Sequence, residues 1–289
     1  MSIKRKSFSS IGLLGFGAFG QLMARHLQPH LPLVAFDAAR TIEPDGSGRG
    51  LVPGGMAEVA ACDIVILAVP VDALAEAIAT LRPYLRSGTV VLDVGSVKIE
   101  PARLLLAGLP DDVEIIGTHP LFGPQSARDG LKGLKIALCP MRGDSVRRIA
   151  AFLRRTLALD VILTTPDAHD RDMAMVQGLT HLVAKILVRM EPMPRRMTTR
   201  SFELLMQATE MVRHDAPGVF LAIEQANPHA RAVRERFFAH AEALTQALER
   251  EHRPEQAPMD VSAAAASPST PGIPALLQRS ITPGRRAEP

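Results

Sequence analysis

The hexapeptide Gly15-Phe16-Gly17-Ala18-Phe19-Gly20 stands between an apolar tetrapeptide, Ile11–Leu14, and an apolar-periodic run, Gln21–Leu27. This is G-x-G-x-x-G with a strand before it and a helix after it, the context the pattern requires. Gly15 permits a tight turn, Gly17 lets the backbone approach a pyrophosphate, and Gly20 lets the helix lie close against the strand. The backbone of Phe16, Ala18 and Phe19 completes an anion cradle at the positive end of that helix. A second apolar strand, Leu33–Phe36, ends in Asp37, where an acid that hydrogen-bonds a ribose diol belongs. A carboxylate there repels a 2′-phosphate and so favours NAD over NADP. Arg40 is the counterweight: its guanidinium either holds such a phosphate or stands as a solvated loop cation, and the latter is the reading adopted, with NADP as the second choice. Cys62–Val69 is a continuous apolar strand, as in a sheet covered on both faces. Val69 and Pro70 close it at the edge that carries the glycines, either as cofactor contacts or as a simple strand stop.

The stretch from Thr89 to Ser126 reads as a strand (Thr89–Asp93), a Gly-Ser turn, a helix (Ile99–Leu106), a strand (Val113–Gly117) and a polar loop. Both strands are expected to finish at one sheet edge, delivering Ser96, Lys98 and His119 where ligands of open α/β sheets bind. An imidazole beside a hydroxyl can orient a substrate hydroxyl and take its proton. Position alone leaves this level with a plainer account, in which His119 caps a loop before Pro120 and Ser96 is a turn residue. Leu134–Cys139 and Val161–Leu163 supply two more strands around the helix Asp144–Leu157, so the βαβ alternation lasts to about Leu163.

From Thr164 no strand is needed. Thr165-Pro166-Asp167 is a helix start, and the helix runs to about Met190, apolar nearly all round and therefore buried, plausibly against a second subunit. His169, Met173, Gln177, His181 and Lys185 fall four residues apart along it. Gln177 and His181 are read as substrate-side groups, against the alternatives of a satisfied core histidine at 181 and exposed end contacts for His169 and Asp170. Thr198–His214, Gly218–Ala226 and Pro228–His252 read as three further helices that carry Arg200 and Arg213. The fold expected is an α/β Rossmann-type dinucleotide-binding domain (residues 10–164) followed by an all-α helical domain (165–252). A flexible N-terminus (1–9) and a Pro/Ala/Ser-rich tail (253–289) that cannot bury enough apolar surface to order itself flank them.

With 289 residues the chain is long enough for two domains, and its net charge of +3 comes without a basic stripe interleaved with aromatics, which argues against a nucleic-acid partner. Cys62 and Cys139 lack metal-ligand spacing, so no metal is expected. No leader-like or membrane-length apolar run is found, and the expectation is a cytoplasmic protein.

Taken together, GFGAFGQ (15–21), VLDVGSVK (91–98), GTHPLFGPQSARDG (117–130), HDRDMAMVQGLTHLVA (169–184) and SFELLMQATE (201–210) resemble the prephenate/arogenate dehydrogenase family, nearest to its plant-type arogenate dehydrogenases. The resemblance runs from about Ile11 to Arg250 and tips the balance at His119 towards catalysis. It implies a cyclohexadiene substrate, hydride transfer to NAD(P)+, loss of CO2 and aromatisation, in tyrosine biosynthesis. It assigns His119 to polarising and deprotonating the ring hydroxyl and Ser96 to a hydrogen bond with that hydroxyl. Lys98, Gln125 and Ser126 lie in matching loops, Gln177 and His181 match substrate-side positions, and a homodimer through the helical domain is implied. One departure matters: the arginine that many prephenate-using members place in a TRIA-S-DP-type segment falls here on Met211. Arg200 and Arg213 are the neighbouring candidates for the substrate carboxylate, and arogenate becomes the compatible substrate. The alternatives are an amino-prephenate of a secondary pathway, a β-hydroxyacid dehydrogenase, for which Lys185 is the lone lysine in the helical part, and a non-catalytic NAD(H)-sensing module.

Overall fold

The computed structural model describes residues 8–43 and 50–251. Expectations for the first residues and for the tail from 253 lie outside the described residues. Eight strands form one sheet in the order β3-β2-β1-β4-β5-β6-β7-β8. They are β1 (Ile11–Leu14), β2 (Leu33–Phe36), β3 (Leu51–Pro53), β4 (Ile64–Leu67), β5 (Val90–Asp93), β6 (Glu114–Pro120), β7 (Lys135–Arg142) and β8 (Asp160–Leu163). The first six run parallel, and β1, β4 and β5 are buried at every residue, because helices cover both faces. The helices of this half are α1 (Ala18–Leu27), α2 (Met56–Ala60), α3 (Leu74–Leu81), α4 (Ile99–Gly108) and α5 (Val146–Arg155). One apolar cluster packs under α1 and α5, with Leu13, Leu33, Ile66, Leu138 and Ile149 among its members. The other, including Val59, Leu67, Ile78, Val91 and Leu105, packs on the opposite face.

Three features depart from the sequence reading. Leu51–Pro53, within a Thr41–Gly55 stretch whose Pro/Gly-rich sequence reads as a connection, adds an edge strand beside β2; three residues carry too little periodicity to show themselves. β7 runs antiparallel to β6, so the parallel order is interrupted there and resumes in the β7–β8 pair, and the link between β6 and β7 is a loop rather than a helix. An antiparallel neighbour needs no helical crossover. Finally, β6 does not stop at Gly117. Its pairing with β5 ends at Asp93↔Gly117, but its pairing with β7 continues through Thr118, His119 and Pro120. His119 therefore stands on a strand that projects past its parallel neighbour at the carboxyl edge of the sheet.

Among the described residues beyond β8 the regular elements are helices: α6 (Pro166–Met173), α7 (Leu179–Arg189), α8 (Arg200–Arg213), α9 (Pro217–Leu221) and α10 (Ala230–Glu251). The helices up to Ala243 belong to the same compact unit as the sheet. The single long helix expected from Thr165 is interrupted. A π-helical turn, Ala174–Gly178, separates α6 from α7, and a second, Ala222–Ala226, follows α9. The two meet where Gly178 lies against Ile223 and Glu224. A side chain at 178 would press on that second turn, so glycine suits the contact. Such turns insert a residue without breaking the apolar pattern, which is why periodicity did not reveal them. Burial of this stretch is also less complete than its sequence suggests, since Met175, Val176 and Met190 are exposed. Among the described residues, no helix is long and apolar enough to cross a membrane.

Candidate functional site

At the amino end of the chain the glycine loop has the geometry its sequence implies. Gly15 takes φ +98°, and a Cβ there would lie 2.4 Å from the Ala68 carbonyl oxygen, so only glycine allows β1 and β4 to approach so closely. A Cβ on Gly20 would meet the Gly15 carbonyl oxygen at 2.3 Å, which seats α1 on the loop. A Cβ on Gly17, by contrast, would meet nothing within 4 Å. Gly17 is the N-cap of α1, no side chain caps the helix, and its first turn holds no acid, so the helix start is left free for an anion. Val69 packs within 3.2 Å of where a Gly15 side chain would begin, and Pro70 follows it, exposed.

The Asp37 carboxylate joins this loop. Its Oδ2 accepts a hydrogen bond from the Phe16 backbone N–H at 2.6 Å and its Oδ1 one from Ala39 N–H at 2.9 Å. Each oxygen keeps a further lone pair, and the residue is only half-buried, so a ribose diol can still be accepted. Arg40 is exposed in the turn after Asp37. This group of residues fits a dinucleotide.

A second cluster forms where β5, β6 and α6 converge. His119 Nδ1 lies 2.8 Å from His169 Nε2, and His169 Nδ1 lies 2.8 Å from Asp170 Oδ1. All three residues are buried. The Asp170 carboxylate also takes the first backbone N–H groups of α4, from Lys98 to Oδ1 at 2.7 Å and from Ile99 to Oδ2 at 2.9 Å. An acid from one helix thus caps another, where the helix dipole favours negative charge. The Asp170 carbonyl accepts from Asn227 Nδ2 at 2.7 Å, fixing α6 from the other side. Burial, then the neighbouring His169 and Lys98, hold the His119 pKa well below the ordinary imidazole value, so the ring is neutral at pH 7.

The remaining expected residues divide. Ser96 is half-buried in the turn between β5 and α4. Lys98 is 0% exposed and its Nζ pairs with Asp93 Oδ2, so it supports the floor of the site rather than facing a ligand. A buried ammonium needs such a partner. Gln125 is exposed, and Ser126 Oγ accepts from Gly123 N–H at 2.9 Å, a contact that shapes its own loop. Arg213 is engaged by two carboxylates, Glu191 and Glu210, whose own pKa values it lowers, and Arg200 is an exposed partner of Glu203. Arg213 is thus engaged within this chain, whereas Arg200 is exposed and keeps only the 3.4 Å contact with Glu203. Met211 is exposed.

Gln177 falls within the π turn and His181 beyond it, and neither is bonded to His169, although sequence spacing sets all three in one row. Gln177 Oε1 and His181 Nδ1 are buried without a partner among the described residues. His181 Nε2 lies 3.7 Å from Asp215 Oδ2, and burial followed by Lys185 pulls its pKa down to about 4. Such orphaned polar atoms mark a place that a polar ligand can satisfy. His169, Asp170 and Asp93 are the members of the site that sequence reasoning left out. The signal was there for the first two, as an adjacent His-Asp pair one turn into a capped helix.

Two sequence-family descriptions match the chain. "Prephenate dehydrogenase, nucleotide-binding domain" matches residues 50–185, and "Prephenate dehydrogenase, dimerization domain" matches residues 165–258. An arogenate dehydrogenase of Arabidopsis thaliana is 29% identical over 254 residues, 82% of this chain and 39% of the relative. A probable arogenate/prephenate dehydrogenase of Methanocaldococcus jannaschii is 26% identical over 203 residues, 66% of this chain and 45% of the relative. The chain thus spans less than half the length of these two curated relatives. In fold it is similar to the crystal structure of Aquifex aeolicus prephenate dehydrogenase in complex with hydroxyphenyl propionate and NAD+. The TM-score is 0.65 at 22% identity, covering 86% of this chain and 93% of that one.

Proposed function

Because the chain belongs to the prephenate dehydrogenase family, we propose that it oxidatively decarboxylates arogenate or prephenate, with NAD+ as the hydride acceptor. The observation that carries this reading is His119. It is a buried, neutral imidazole on a strand that overruns its neighbour at the carboxyl edge of the sheet, the edge that also bears the glycine loop. NAD+ held by residues 15–20, with Asp37 on its ribose, would supply the oxidant. His119 takes the proton of the ring hydroxyl as the hydride leaves the same carbon, and Ser96 hydrogen-bonds that hydroxyl. The electrons of the breaking carbon–carboxylate bond enter the ring, CO2 departs, the ring becomes aromatic, and the phenolate oxygen takes the proton back from His119. A neutral base is the form required, because an imidazolium could not accept the proton.

Gln177 and His181 are assigned to the substrate side, since both present unpartnered buried atoms. The carboxylate-binding cation is sought outside Lys98 and Arg213, whose charges are already paired. A homodimer through the helical half is supported by the dimerization-domain match and by exposed Leu204, Leu205, Met211 and Leu221. Apolar exposure of that kind marks interaction surfaces.

The test is NAD(P)H formation with L-arogenate and prephenate separately, each with NAD+ and NADP+. Turnover of either substrate, faster with NAD+, is expected, and arogenate should be preferred because Met211 stands where the arginine of prephenate users is expected. If neither substrate is oxidised with either cofactor, the reading fails.

A further inference from the structure

We propose that His169 and Asp170 are positioning residues that fix the tautomer of His119, presenting its Nε2 as a bare acceptor. The argument is one of hydrogen-bond direction. The Asp170 carboxylate can only accept, and it already accepts backbone N–H groups from Lys98 and Ile99. The 2.8 Å contact at Oδ1 therefore obliges His169 to carry a proton on Nδ1. A neutral His169 then has a lone pair on Nε2, and the 2.8 Å contact there obliges His119 to carry its proton on Nδ1. Only one nitrogen of a neutral ring is protonated, so Nε2 of His119 is left as the base.

The groups facing this pair are few. Lys98, at the start of α4, acts on His119 and is itself paired with Asp93 at the β5 end, and Asp170, from α6, bonds His169. Asp93 and Lys98 neutralise one another. When His119 gains the hydroxyl proton it becomes an imidazolium whose Nδ1–H still donates to His169, and the dipole of the His169–Asp170 pair is aligned to favour that charge. The proton then returns to the phenolate oxygen as the ring aromatises, which restores the bare Nε2. The arrangement is rigid because Asp170 is tied to α4 through two backbone donors and to Asn227 through its carbonyl. A pre-oriented donor–acceptor chain of this kind contributes more than the sum of its isolated contacts.

The kinetic part rests on the dehydrogenase reading; the tautomer does not, and the experiment separates them. The full-length chain, labelled with ¹⁵N in its histidine rings, is examined by NMR at pH 7.5, with His119→Asn and His169→Gln used to assign the signals. Both His119 and His169 should be neutral and protonated on Nδ1. His169→Phe removes the acceptor, so His119 should lose its single tautomer. The kcat of that variant should fall roughly 10²–10⁴-fold, the scale of misplacing a catalytic imidazole, with NAD+ affinity unchanged. His169→Gln, whose amide can accept from His119 and donate to Asp170, should recover at least about tenfold of that loss. The proposal is overturned by a doubly protonated His169 beside an Nε2-protonated His119, or by a folded Phe variant within threefold of wild-type kcat. If the Phe variant does not fold, the NMR of the wild type and the rescue by Gln decide alone. If the tautomers are as stated but neither arogenate nor prephenate is oxidised, the dehydrogenase reading falls and the positioning stands.

Discussion

The helical stretch from Pro166 to Arg189 holds two histidines with opposite surroundings. Upstream of the π turn, His169 has both ring nitrogens engaged and its neighbour Asp170 accepts three hydrogen bonds. Within the turn and after it, Gln177 and His181 keep buried polar atoms without partners among the described residues. His169 and Asp170 have their hydrogen bonds before any ligand arrives, although Asp93 Oδ1 beside them lacks a partner among the described residues; Gln177 and His181 are satisfied only with a ligand. On the proposed function, the groups that act in a fixed orientation are held by protein, and those assigned to the substrate are left unsatisfied, at a cost in stability that binding would recover.

The sharpest way to break this contrast is at its catalytic end. His119→Asn should leave dinucleotide binding intact and lower kcat by roughly 10²–10⁴-fold. A kcat within a few-fold of wild type, in a variant that still binds NAD+ by fluorescence titration, would remove the base from the account. Next in size is the closed network itself. Asp170→Ala strands three buried donors, and at about 1–3 kcal/mol for each unsatisfied group the loss of stability should be several kcal/mol, read from urea unfolding. If Asp170→Ala were neutral, the closed region would not be structurally closed.

The open region predicts the reverse. Gln177→Leu and His181→Leu remove orphaned polar atoms, so stability should hold or rise by about 1 kcal/mol, some 2–4 °C in Tm. Substrate KM should rise about tenfold in the same variants, with kcat less affected. A fall in Tm comparable to that of Asp170→Ala would show that these atoms have partners in the free protein.

The smallest effect is on acid stability. His119 and His181 both have pKa values depressed by burial below the ordinary imidazole value, His181 to about 4. The unfolded chain therefore binds protons at these residues before the folded one does. Stability should be constant above about pH 6.5 and decline as pH falls from there towards 4. His181→Leu should flatten part of that decline; a curve of unchanged slope would mean that His181 does not contribute.

Much of the fold was legible. Ile11–Leu14 and Leu33–Phe36 were bounded as observed, because buried parallel strands are short apolar runs between turn residues. The glycine loop and Asp37 were legible because each residue type answers a local backbone or charge requirement. The direction of β7 was not, since apolar content is the same for either orientation. The end of β6 was missed because Thr118 and His119 are polar and precede a proline, the composition of a loop; pairing with β7 overrides it. Lys98 was misplaced for a related reason. A lysine is expected to reach solvent, and its carboxylate partner, five residues back, becomes visible only once the turn folds. The link from His119 to His169 spans fifty positions, and no local pattern records such a contact.

The cap on α4 has a consequence for assembly. The carboxylate that receives the Lys98 and Ile99 amides lies 72 and 71 positions further along the chain. During synthesis the sheet strands and α4 emerge well before Asp170 exists, so the start of α4 is initially served by water. The last step in shaping the reaction centre is then the docking of α6, and contacts that join distant positions form late because the intervening loop must first be closed. The glycine loop, by contrast, takes the contacts described above from Asp37 and Ala68, both earlier in the chain than β5, so its shaping does not wait for α6.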